Sequence, residues 1–486
     1  MLDSRPSQPM DFADLKPARR WSDFPRRLTQ NSRWIYVAFF AIPGLLLLFL
    51  SYAYLQPNTV TPTGVASPDQ TQSATATPTS SPELTSITLH QEGEAGASHL
   101  DHSTTPLVRP DGIRIVGVVF YGRRDRSSVL ECYLRKNLAS NGGWLDEVIW
   151  AANTQDQDDL AYGEEIAKTA DEYTYMPINT GGFSGIYFKA FKEPDTIYVK
   201  MDDDIVFIDQ SAIPRLVTTL LNSPRSLLVS SNVVNNPALG WVHYHMRAVH
   251  PYVPEVIPEP DELSTKENGF WKASELPTWN ESDSKWQMPD LDKFYELFGV
   301  NDKPSVPKHR WIPTRNLTYL YQTPVAASEY DAFGNNLHHW PLAAQAHYSL
   351  LQNIEEKRLG RYFMVHGSDE EAVSTWDMRG SRISINFMAI RGIDILNNAM
   401  KLTGDDEHIL TVELPKQLNR AVLVETTSVV AHFAFGPQKN LIKTDILERY
   451  HNYAAEKICP NSILEPETVL APSKRSNLPI TPNEKI

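Results

Sequence analysis

Apolar and polar positions divide this chain into zones of different physical character. Trp34 to Leu55 is an uncharged run of 22 residues. At about 1.5 Å per residue it matches a hydrocarbon core of about 30 Å and reads as one membrane span. From Gln56 to about Pro110 the chain is dominated by Pro, Thr, Ser, Ala and Gly, with almost no large apolar side chains. Such a stretch buries too little surface to offset its ordering entropy and reads as a disordered stem. The pattern changes at Ile113. Ile113 to Tyr121 is β-branched and reads as a strand. Ser127 to Ala139 has helical spacing at Val129, Tyr133, Leu134 and Leu138, and stops at Asn141-Gly142-Gly143. Strands follow at Glu147 to Ala152, Thr196 to Met201 and Ser226 to Ser231, with helices over Asp158 to Ala170, Ser184 to Phe191 and Ser211 to Leu221. This alternation implies β-α-β units and an α/β fold whose sheet is mostly parallel, with flanking helices.

Residues 250 to about 325 break the rhythm. They are rich in Pro and Trp (Trp271, Trp279, Trp286, Trp311) and read as an irregular insert. Indole faces stack on the apolar faces of sugars, so the insert is either an acceptor platform or ordinary loop packing. Trp340 to about Leu359 reads as a helix with Pro341 near its start. Tyr362 to Val365 and Arg382 to Ile390 read as short strands, and Asn397 to Leu402 as the close of a helix. No internal repeat is present. The plan is a tail over 1–33, an anchor over 34–55, a stem over 56–110, one globular domain over 111–460 and a flexible tail over 461–486.

Composition sharpens this picture. A chain of 486 residues with formal charge −14 and no basic stripe is not a general nucleic-acid binder. The first 33 residues hold seven Lys or Arg against four Asp, and the other flank of the anchor carries no charge until Asp69. This asymmetry leaves the N-terminus in the cytosol and the remainder across the membrane. Cys132 and Cys459 are the two cysteines. They either bridge opposite ends of the domain in an oxidising lumen or remain two buried thiols. Asn280-Glu-Ser282 and Asn316-Leu-Thr318 carry the N-glycosylation pattern.

The candidate chemistry centres on Tyr198 to Asp209, where an apolar strand runs into Asp202-Asp203-Asp204 and resumes at once. Three adjoining carboxylates repel one another, and a bound divalent cation is the simplest way to keep them charged. Side-chain alternation puts Asp202 and Asp204 on one side and Asp203 on the other. Hard oxygen ligands suit Mg2+ or Mn2+, which complete their shells with water and substrate phosphates. A solvated acidic turn or a helix cap is the plain alternative.

Two later stretches add candidates. Gly404 to Leu410 sets Asp405, Asp406 and Glu407 ahead of an apolar helix. They act as an N-cap, or Asp406 or Glu407 serves as a general base on an acceptor hydroxyl. His432 stands alone in the apolar run Val429 to Gly436. It is a core histidine or a metal ligand that completes the set begun by Asp204.

Taken together, Asp202-Asp203-Asp204, the Gly404 to Leu410 motif and His432 resemble the nucleotide-sugar-dependent glycosyltransferases of the GT-A fold, over roughly Ile113 to Gln438. The resemblance is to type II Golgi enzymes with a cytosolic tail, one anchor, a stem and a luminal catalytic domain. Lys200-Met-Asp-Asp-Asp-Ile-Val-Phe207 is similar to the β-galactosyltransferase-like branch, whereas Trp340-Pro-Leu342 and His432-Phe-Ala-Phe-Gly-Pro-Gln438 look more like fungal Golgi-type members. The resemblance implies a Rossmann-related GT-A sheet, a nucleotide-diphosphate sugar as donor, a glycan-type acceptor and Mn2+ or Mg2+ as cofactor. It implies direct metal contact by Asp204, contact of Asp202 with metal-bound water or the ribose, and a late metal-binding role for His432. Asp202 and Asp203 are the candidate donor-binding residues, and Asp202, Asp204 and His432 the candidate metal ligands. Asp406 and Glu407 are the candidate catalytic acids, in an Asp-Asp-Glu order that departs from the family's Glu-Asp. A tethered glycan-binding or scaffold protein without turnover is the alternative, and the oligomeric state is left open.

Overall fold

The computed structural model describes residues 107–179, 182–254, 268–278, 310–314, 316–328, 340–365, 373–460 and 463. Contacts divide the chain into Met1–Gln91 and Glu92–Ile486, and every described residue belongs to the second unit. The expected anchor, Asn280, Trp279, Trp286 and the tail from 464 lie outside the described residues. Among the described residues no helix is long and apolar enough to cross a membrane.

The described chain forms β1 (Arg114–Tyr121), α1 (Arg124–Asn137), β2 (Glu147–Ala152), α2 (Gln157–Ala167), β3 (Tyr173–Pro177), α3 (Ser184–Ala190), β4 (Thr196–Asp202), β5 (Ile205–Ile208), α4 (Ala212–Asn222), β6 (Ser226–Val234) and α5 (Pro237–His245). It continues with β7 (Tyr252–Pro254), β8 (Trp311–Pro313), α6 (Trp340–Glu355), β9 (Thr375–Asp377), β10 (Phe387–Arg391), α7 (Gly392–Asn398), β11 (Ala421–His432) and α8 (Ile446–Tyr453). The main sheet has the order β3-β2-β1-β4-β10-β6-β11-β5, with β9 against the first half of β11. β7 and β8 make a separate antiparallel pair.

β1 pairs in parallel with β2 and β4, β2 with β3, and β6 with β11. β10 enters between β4 and β6 antiparallel to both, and β5 and β9 run antiparallel to β11. The sheet is therefore mixed and mostly parallel. β1, β4 and β6 are buried almost throughout, which is why their apolar residues cluster rather than alternate with polar ones. Each fully buried Val, Leu or Ile contributes about 1.5–3 kcal/mol.

Tyr362 to Val365 departs from the expected strand, because Leu359–Tyr362 closes as a single 3-10 turn. The Tyr362 carbonyl accepts from Asn232 Nδ2 at 2.6 Å, so a side chain takes the place of a ladder partner. Of the two readings of the Trp-rich insert, packing holds for Trp271 and Trp311, which are buried. Trp271 donates to Glu456 and meets the edge of Tyr453, and Trp311 meets Trp340 edge to face. These two indoles are packing groups and leave no face for a sugar.

Candidate functional site

The carboxyl ends of β1, β4, β6 and β11 share one edge of the sheet with the start of β10, the edge at which ligands sit in open α/β folds. β4 delivers Asp202 there, in register with Phe120 of β1. Asp203 and Asp204 then form a turn, and β5 returns the chain against β11. The pleat thus ends at Asp202, and a tight turn rather than strand alternation brings Asp204 back beside it. β11 sets His432 opposite Ile205 across a register shift that follows Ala431. The Phe433 N–H donates to the Asp204 carbonyl at 2.8 Å, which pins the histidine over the turn.

One oxygen of Asp202, one of Asp204 and one ring nitrogen of His432 lie within 4.8 Å of one another, the one such group among the described residues. His432 Nε2 is 3.0 Å from Asp204 Oδ1 and 4.0 Å from Asp202 Oδ2. Asp203 does not join them. Its carboxylate accepts from the Gly122 N–H at 2.9 Å and is clamped by Arg123.

Protein cations surround the acids, a feature sequence reasoning missed. Arg123 pairs with Asp203 and stands 3.1 Å from Asp204 Oδ2, and Arg126 stands 3.3 Å from the same oxygen. Buried Lys200 pairs with Asp202 and donates to the Ile385 carbonyl at 2.8 Å, and Asn386 Nδ2 donates to Asp202 Oδ2 at 2.9 Å. Three cations therefore face three carboxylates, and the mutual repulsion of the acids is relieved within the chain itself. Burial alone would raise the Asp204 carboxyl, but His432, Arg123 and Arg126 hold it well below the usual range. Burial pushes Asp203 up to about 6 despite Arg123. Burial works against a charged His432, yet Asp204 and Asp202 raise it overall.

The donor set still fits a divalent ion. Asp204 Oδ2 faces the arginines, whereas Oδ1 is buried and receives no hydrogen bond of ordinary geometry. That orphaned oxygen faces His432 Nε2, with Asp202 Oδ2 beside it. Two carboxylate oxygens suit a hard cation, and the imidazole tilts the set toward a transition ion.

The later acidic segment is split by role. Asp405 caps the turn by accepting from the His408 N–H at 3.0 Å, and it also binds Arg382. Glu407 accepts from Arg382 Nε at 2.6 Å, and burial raises its carboxyl even so. Asp406 accepts from the Tyr187 hydroxyl at 2.8 Å. Tyr187 meets the edge of Phe120 at 5.2 Å, so Asp406 is two aromatic rings away from the strand end that carries Asp202. The cation run Arg123-Arg124-Asp125-Arg126 directly after β1 was visible in the sequence, but nothing there marked Lys200, Tyr187 or Asn386 as members of the site.

No family model and no curated protein matches the chain. A crystal structure of glucosyl-3-phosphoglycerate synthase from Mycobacterium tuberculosis with Mn2+, UDP and glucosyl-3-phosphoglycerate aligns at TM-score 0.21 and 17% identity, over 25% of this chain and 44% of that one. The same synthase with Mn2+, UDP and phosphoglyceric acid aligns at TM-score 0.20 and 18% identity, over 25% and 43%. A structure described as a mycobacterial protein gives TM-score 0.21 and 18% identity, over 25% and 40%. The chain spans less than half the length of these structures, and a likeness of that size assigns it to no family.

Proposed function

We propose that this protein is a metal-dependent glycosyltransferase of GT-A type, moving a sugar from a nucleotide-diphosphate donor to a hydroxyl of a glycan, glycoprotein or glycolipid. The observation that carries this reading is the convergence of Asp202 Oδ2, Asp204 Oδ1 and His432 Nε2 at the carboxyl edge of the sheet, with Asp204 Oδ1 buried and turned from the arginines toward the imidazole. Asp202, Asp204 and His432 would hold Mn2+ or Mg2+, which supplies positive charge against the leaving diphosphate. Arg123, half exposed at the cleft, adds a charge-assisted donor for a phosphate oxygen.

In the transfer, a bond forms between the acceptor oxygen and the anomeric carbon. The bond from that carbon to the diphosphate breaks, and its electron pair leaves with the diphosphate. Asp406 or Glu407 takes the acceptor proton in an inverting course. The rigid sheet edge fixes the carboxylates, and positioning supplies much of the rate.

The paired sulfurs of Cys132 and Cys459, with Cα atoms 5.9 Å apart, support a secretory setting, since disulfides persist in oxidising compartments. We place the protein in the Golgi membrane, anchored through 34–55 with the domain luminal. One observation favours the reading without turnover: the acids are already matched by Arg123, Arg126 and Lys200, so the edge stands without a metal.

Incubation of the purified protein with a panel of nucleotide sugars and Mn2+ separates the two. Release of nucleotide diphosphate from one donor, abolished by EDTA and reduced at least about a hundredfold in Asp204→Asn, is the expected result. Silence across the panel, with no metal-dependent nucleotide binding by calorimetry, leaves the tethered binding protein.

A further inference from the structure

An exposed aromatic ring stacks on Phe120, the residue that neighbours both acidic groups, and no role described so far uses it. Phe183 is 57% exposed, whereas Phe120 and Tyr187 beneath it are buried. Its ring stacks on Phe120, with centroids 6.2 Å apart and planes 23° from parallel. Phe120 is the cross-strand partner of Asp202 and lies 4.7 Å from Lys200 Nζ, the ammonium paired with Asp202. Phe120 also touches the edge of Tyr187, whose hydroxyl donates to Asp406. The stack is therefore joined through Phe120 to both the metal-side carboxylate and a candidate base.

A single exposed phenylalanine is ordinary on a protein surface. Its place makes this one informative. In a displacement the carbon under attack lies between the leaving oxygen and the incoming hydroxyl. The sugar in transit must then lie between the group that holds the diphosphate and the group that takes the proton. Phe183 adds an exposed, flat apolar face to the stack that joins these two groups, and one face of a hexopyranose is a patch of C–H groups that such a ring accommodates.

We propose that Phe183 is the platform on which the transferred sugar stacks, and that it makes the site selective for hexopyranoses with a continuous C–H face. The inference rests on the glycosyl-transfer reading above. The hydroxyls on the opposite face of the sugar remain free for polar groups of the cleft, so the ring selects one face and one orientation of the donor.

The test measures three constants on the purified protein with Mn2+: the KM of the best donor from a panel of UDP- and GDP-hexoses, the inhibition constant of the matching free nucleotide diphosphate, and the acceptor KM. Phe183→Ala and Phe183→Leu are expected to raise the donor KM about two- to tenfold while the other two constants stay put. Phe183→Tyr and Phe183→Trp should retain the wild-type donor KM. Leucine fills the space without a flat face, so it separates stacking from bulk. A parallel rise in the inhibition constant of the free diphosphate would mean that the ring holds the nucleobase and would overturn the proposal, as would a change in acceptor KM alone or no change at all. A wild-type protein that releases nucleotide diphosphate from no donor refutes the glycosyl-transfer reading and this inference with it. An active wild type indifferent to Phe183→Ala refutes the inference alone.

Discussion

Glu407 and Asp406 sit one position apart and have different surroundings. Glu407 is held by Arg382, and burial raises its carboxyl, whereas Asp406 receives a single hydroxyl from Tyr187. A general base works only when deprotonated. If Glu407 is the base, the rate falls as pH drops through its raised value, above the ordinary carboxylate range, and Glu407→Gln removes both the rate and that acid limb. If Asp406 is the base, Asp406→Asn removes the rate instead. A pH–rate profile of the two variants decides. Asp202, Asp204 and His432 were legible in the sequence because acids ending an apolar strand and a histidine inside an apolar run both violate the burial pattern around them. Lys200 breaks the apolar run of β4 and pairs with Asp202 two positions on in the same strand, a local signal the sequence reading passed over, whereas the pairing of Arg123 with Asp203 depends on β1 and β4 meeting in the fold.

Among elements, the long strands and helices of the first half were legible from periodicity, with ends that shift by a few residues. The sequence reading missed β3, β5, β7, β8 and β9, strands of three to five residues that are too short to show a period, and the short helices α5 and α8. Nor did local pattern reveal that β10 runs antiparallel, since direction is set by the strands it meets in the fold. The helical run that begins at Asp406–His408 passes through a π turn at Ile409–Glu413 before Leu414–Leu418. Its only side-chain cap is Asp405, which also neutralises Arg382. Asp405→Ala should therefore destabilise this run by about 1 kcal/mol. Chemical denaturation checks that figure, and transfer activity should fall with it if the neighbouring acids are catalytic.

For the whole molecule, the Cys132–Cys459 disulfide ties α1 to the turn after α8 across 327 positions. Chain-entropy reasoning gives an upper bound of about 6 kcal/mol for a loop of that length. Cys132→Ser with Cys459→Ser should lower the unfolding midpoint accordingly, and a reductant should do the same to the wild type. A second global property is acid sensitivity. Burial keeps His243 and His347 neutral, with values lowered to about 3 and about 4. The unfolded chain takes up these protons near pH 6.5. Stability is therefore fully present above that pH and lost as pH falls toward 4, by about 2 kcal/mol for each histidine between pH 6.5 and 5. Urea midpoints at the two pH values measure the sum.

The pairing of β5 with β11 also has a temporal side. Asp202 and Asp204 leave the ribosome 228 positions or more before His432. At roughly 5–20 residues per second this is a delay of roughly 10 to 50 s, during which the chain holds two of its three candidate ligands and the arginines of α1 are already made. The acids and the cations that match them are therefore synthesised first, and a chain cut short before β11 lacks the third candidate ligand.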